Sequence, residues 1–136
     1  MFYKGYVKTK GKASVEKFKG RTSSELATYD EIKREREFGG VLADDIILVD
    51  IDTLEQAEIM MDIVETMQFN CRVIATEHGK HFLFRNDGVN KNATKIKLAC
   101  GLTADIKLGS RTSYQVLKLD GKERFVEWEF DETEPL

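Results

Sequence analysis

The stretch Ile46-Ile47-Leu48-Val49-Asp50-Ile51-Asp52 decides the fold. Its first four residues are apolar on both faces of an extended segment, which predicts a strand in the centre of a sheet. Two carboxylates close it. Successive side chains of a strand point to opposite faces, so Asp50 and Asp52 share one, with Cα atoms about 6.6 Å apart at roughly 3.3 Å rise per residue. Two like charges on one wall repel, and a divalent cation or a catalytic role offsets that repulsion. Acids are common at strand ends, so an isolated D-x-D is more often an ordinary strand end in solvent, and the rest of the sequence decides between the readings.

Working outward, Thr53-Leu54-Glu55-Gln56 has the form of a capping box. The helix that follows places Ala57, Met60, Met61, Val64 and Met67 on one core-facing stripe. Cys71 to Thr76 and His81 to Arg85 read as a hairpin around the turn Glu77-His78-Gly79-Lys80, with Phe82 and Phe84 towards the core and His81, Leu83 and Arg85 facing the other way. Upstream, Gly5 to Thr9 reads as a short strand. Thr28 and Glu31 form a second capping box opening a charged helix over Ile32 to Glu37, which Gly39-Gly40 stops. Val41-Leu42 is a strand before the turn at Asp44-Asp45. Downstream, Lys95 to Ala99 is a possible strand, Gly101 a break before Ala104-Asp105-Ile106-Lys107, and Tyr114 to Lys118 with Arg124 to Trp128 a last hairpin around Asp120-Gly121. One long amphipathic helix on a mainly antiparallel sheet is an α+β fold.

A chain of 136 residues suits one domain with a sizeable core. Its division is a basic N-terminal extension and short helix over residues 1–37, a core over 38–130 and a tail or linker over 131–136. No apolar run approaches the roughly 20 residues of a membrane span, and the N-terminal lysines break up any secretory signal. Cys71 and Cys100 are too far apart for a ligand knuckle and too few for a four-cysteine zinc site. They read as small buried hydrophobes, and a reducing cytoplasm is the expectation. The net charge of −3 hides an asymmetry, because Lys4, Lys8, Lys10, Lys12, Lys17, Lys19 and Arg21 meet a single acid, Glu16, in the first 21 residues. Such an arm contacts phosphates or is a solvated surface, and composition leaves both open.

Three features fall where one sheet can bring them together: Asp50 and Asp52, the segment Thr76-Glu77-His78-Gly79-Lys80-His81, and Asp105. In this order and form they resemble the archaeo-eukaryotic primase superfamily, and within it the primase-polymerase domains of phages and plasmids. The resemblance covers about residues 38 to 118. The apolar strand ending in D-x-D matches Ile47 to Asp52, preceded by the glycine-containing Gly39-Gly40-Val41. The strand, glycine turn and histidine match Ile74 to Phe82, although many relatives carry two adjacent glycines where only Gly79 precedes Lys80-His81. The third motif, an acid with a basic residue two places on and a later aromatic, matches Ala104-Asp105-Ile106-Lys107 and Tyr114.

That resemblance implies an RRM-like catalytic core and template-dependent nucleotidyl transfer, a DNA primase or polymerase acting on a single-stranded DNA template or primer with NTP or dNTP. Asp50, Asp52 and Asp105 would hold Mg²⁺ or Mn²⁺, hard ions that prefer oxygen ligands. Two such ions about 3.5–4 Å apart serve phosphoryl transfer. His81 and Lys107 would meet the triphosphate, with Thr76, Gly79 and Lys80 beside them. Lys8, Lys10, Lys12, Lys19, Arg21 and His78 are candidate template contacts. The tail resembles a linker towards a helicase-like region, which would make a helicase domain or protein a partner, and it is equally read as the end of a complete chain; a membrane is not an expected partner. The expected setting is the cytoplasm of a phage- or plasmid-bearing host. Two other readings remain: a catalytically inert nucleic-acid-binding module on the same scaffold, and a rolling-circle-type endonuclease, which needs a histidine pair on one strand and a tyrosine nucleophile on a helix.

Overall fold

A computed structural model describes residues 2–19, 21–86, 88, 92–98 and 101–129, with backbone alone at 93–96. Cys100 and the tail fall outside the described residues. Among the described residues the architecture is α+β, with two antiparallel sheets and two α-helices. The larger sheet runs β11 (Val126–Glu129), β5 (Arg72–Ala75), β6 (Lys80–Arg85), β4 (Ile46–Ile51), β8 (Thr103–Leu108), β7 (Ala93–Lys97). The apolar run therefore sits inside its sheet, flanked by β6 and β8, as its two-sided hydrophobicity requires.

Ile47, Val49 and Ile51 face α2 (Leu54–Met67), whose Ala57, Met60, Met61 and Val64 close this core with Phe82. A fully buried side chain such as Ile51 or Val64 contributes about 1.5–3 kcal/mol. Thr53 is the N-cap, but its side chain makes no cap hydrogen bond. Gln56 turns instead to β8 and accepts from the Thr103 amide at 2.8 Å, so the expected capping box gives way to a tertiary contact. Met67 is exposed because the helix ends there, at Gln68 in the left-handed region.

The opposite face of β4 is covered too. The second sheet runs β10 (Lys122–Glu123), β9 (Tyr114–Leu119), β3 (Phe38–Leu42), β1 (Tyr3–Lys10), β2 (Ala13–Ser14). Leu48, Ile74 and Leu83 pack against its Tyr3, Phe38, Leu42 and Leu117. Leu83, expected to face away from the core, is fully buried in this second one.

The capping box at Thr28 forms, with Thr28 Oγ1 accepting from the Glu31 amide at 3.2 Å, but α1 spans only Tyr29–Ile32. The helix does not run through Glu37, and Gly39-Gly40 belongs to β3. There a Cβ on Gly40 would lie 2.5 Å from the Tyr3 ring, and one on Gly39 2.9 Å from the Gln115 carbonyl. The glycines admit a ring and a neighbouring strand. The expected last hairpin also resolves differently. β9 turns at Asp120-Gly121 into the short β10, and the chain then crosses sheets, so that β11 pairs with β5. Arg124 and Phe125 make that crossing. Among the described residues no helix is long and apolar enough to span a membrane.

Candidate active site

The site grows from strand register. In the larger sheet Asp50 lies opposite His81 of β6 on one side and Asp105 of β8 on the other, and Leu48 lies opposite Lys107. Residues directly opposite on adjacent strands share a face. Three sequence-distant motifs thus meet on one face, at the end of β4, where the two sheets part.

The result is a cleft of about 190 Å³. Asp50, Asp52, His81 and Lys107 line it from the larger sheet, Thr76, Glu77 and His78 from the β5–β6 turn, and Tyr114 and Gln115 from β9. The turn is closed by the Thr76 amide donating to the Gly79 carbonyl at 3.0 Å and the Gly79 amide donating to Thr76 Oγ1 at 3.1 Å. Gly79 packs on the end of β4 so closely that a Cβ would lie 1.8 Å from the Ile51 carbonyl oxygen. Glycine is needed there to seat the turn beside the acids.

His81 is held by a chain of hydrogen bonds from the second sheet. The Tyr3 hydroxyl donates to Gln115 Oε1 at 2.5 Å, which turns the Gln115 amide nitrogen towards His81 Nδ1 at 2.9 Å. Nδ1 must then accept, and in the neutral ring the proton sits on Nε2. Nε2 lies 3.5 Å from Asp50 Oδ1, beyond a good hydrogen bond. Asp50 Oδ1 is buried and has no hydrogen-bond partner among the described residues. Burial pushes the Asp50 carboxyl up, but the His81 imidazole, with Lys107 and Arg124 behind it, outweighs burial and holds it below its ordinary 3.8.

Other anticipated residues divide clearly. Asp52 is exposed at the cleft mouth, and Asp105 is half-buried beside Asp50 without lining the cleft. Among the described residues no three His, Cys, Asp or Glu side chains are drawn together as a ready metal cage. Lys80 points away from the cleft, on the α2 side. Buried there, it reaches Glu127 at 2.5 and 2.6 Å and Glu58 at 3.3 Å. Of the basic arm only Lys12 lines the cleft; Lys8 pairs with Glu35 at 3.5 Å, and Lys10 and Lys19 are exposed elsewhere. Arg21 is half-buried.

Sequence reasoning missed Gln115 and Arg124. Gln115 is 1% exposed, a polar residue at an inward position of an otherwise apolar strand, and that break in alternation was its signal. Arg124 gave none, because its place depends on the crossing between sheets. Its Nη2 donates to both carboxylate oxygens of Glu77, at 2.8 and 3.2 Å, and its Nη1 donates to the Val116 carbonyl at 3.1 Å. Comparisons with protein-family models, curated proteins and solved structures return no match.

Proposed function

We propose that the chain is a template-dependent nucleotidyltransferase, a DNA primase or polymerase with an RRM-like core in its larger sheet and the inter-sheet cleft as its nucleotide site. One observation carries this reading: the register that brings Asp50, His81 and Asp105 side by side across β6, β4 and β8.

The residues fit a hard divalent cation. Asp50 Oδ1 is a buried anionic acceptor without a donor, and Asp52 offers further oxygens at the mouth. Mg²⁺ is commonly held by one or two carboxylates plus substrate phosphates, so a preformed cage of three acids is unnecessary. Asp50 and Asp52 would hold the ion, with Asp105 adding negative charge behind them. When bound, such an ion neutralises charge on the reacting phosphate and lowers the barrier to attack by a 3′ hydroxyl.

The protein's own groups bind and orient. Lys12, Lys107 and Arg124 face Asp50, Asp52 and Glu77 around the cleft, so the side chains balance one another and leave most triphosphate charge for the cation. His81, its Nε2–H directed into the cleft by Gln115, donates to a phosphate oxygen. Lys107 and Lys12 add charge without a fixed direction. Primer extension on a primed single-stranded template with Mn²⁺ and mixed nucleotides tests the reading. Wild type extends, Asp50→Ala falls by at least about 100-fold, and chelation abolishes the activity. Metal-independent single-strand binding with no extension would favour the inert binding module instead.

A further inference from the structure

A second cavity, of about 320 Å³, opens between the sheets on the other side of Arg124. It is within the roughly 300–1,000 Å³ range of small-ligand pockets. Its aromatic wall is Tyr3, Tyr6, Tyr29 and Phe38. Tyr6 packs on Tyr29 at 5.7 Å and on Phe38 at 6.1 Å, edge to face, so the rings brace one another. Three charged groups, Arg72, Glu123 and Arg124, join the lining. Glu123 at the rim accepts from the Tyr29 hydroxyl at 2.8 Å and keeps further acceptor capacity. Arg72, half-buried, stacks its guanidinium over Tyr3 at 5.3 Å and Phe2 at 5.7 Å. It makes no ion pair among the described residues, and its Nε is buried without a hydrogen-bond partner. Its register partner on β11, Glu129, is exposed and forms no ion pair with it among the described residues, so an acceptor in the cavity can meet the guanidinium.

We propose that this cavity is a pocket for an unpaired nucleobase. Arg124 is taken up by Glu77 and the Val116 carbonyl, and Glu123 offsets Arg72, so the lining holds one open donor and one open acceptor, which match the mixed edge of a base. The tyrosines supply stacking surface that tolerates any base. The cavity is separate from the cleft but adjoins it twice. Arg124 lines both, and Tyr3, which lines the cavity, donates to the Gln115 that holds His81.

The test is fluorescence of 2-aminopurine, placed within a short deoxythymidine oligomer in one arm and supplied as the free riboside 5′-monophosphate in the other. It needs neither metal nor triphosphate, so its outcome is independent of nucleotidyl transfer. Wild-type protein quenches the probe. Tyr29→Leu, at a residue 42% exposed, and Arg72→Met, which keeps its apolar stem, each weaken binding about 5- to 100-fold with unchanged circular dichroism. Quenching of the oligomer supports a base held within a strand; quenching of the monophosphate alone supports the same pocket serving a free nucleotide. No quenching in either arm, or full affinity in both variants, overturns the proposal.

Discussion

Register places Asp50 between a histidine and a second acid. Its carboxyl is held below its ordinary 3.8, so its contribution to stability is complete above that value and is lost as pH falls through the lower folded value. Unfolding titrations from about pH 5 to about pH 2 should show a steep acid limb in wild type that flattens in Asp50→Asn; parallel limbs would contradict the assignment. Like charges directly opposite on neighbouring strands destabilise by about 0.2–1 kcal/mol. Asp105→Asn should therefore raise the metal-free melting temperature by about 1–4 °C, and Mn²⁺ should stabilise this variant less than wild type. A lower melting temperature would count against the pairing of these acids. At this scale Asp50, Asp52 and His81 were legible because period-two alternation fixes faces. Gly79 was legible only as a turn, since its close approach to Ile51 is a tertiary fact.

Among the elements, β4, α2 and the β5–β6 hairpin were readable from periodicity and caps. β1 and β3 were harder, because each is short of β-branched residues and β3 carries two glycines after Phe38 whose use is a neighbour's ring and backbone. Lys80 shows how an element's other face can be misread. Its position beside a glycine turn suggested phosphate contact, whereas its strand turns it towards α2 and β11, where it joins Glu58 and Glu127. Removing Glu127 leaves the buried Lys80 ammonium with only the exposed Glu58 to offset it. Urea unfolding should show Glu127→Ala losing about 2–3 kcal/mol and Lys80→Met less, since methionine suits the apolar surroundings. Equal losses would mean that the pair acts as an ordinary surface bridge.

In the whole molecule the decisive feature is that two sheets face each other and part at one end. Composition allowed a single core, but nothing local in Arg124-Phe125 announces a strand leaving one sheet for the other, so the cleft's second wall was not legible. That wall supplies Gln115, which orients His81, and Arg124, which separates the cleft from the aromatic cavity. The central claim is that this cleft gathers a divalent cation and a triphosphate at Asp50 and Asp52. A crystal of the protein grown with Mn²⁺ and a non-hydrolysable nucleoside triphosphate tests it most directly, through the anomalous signal of manganese. The account predicts a manganese peak against the Asp50 and Asp52 carboxylates, with the triphosphate within reach of His81 and Lys107; nucleotide bound elsewhere, or a cleft without manganese at saturating concentrations, would contradict it.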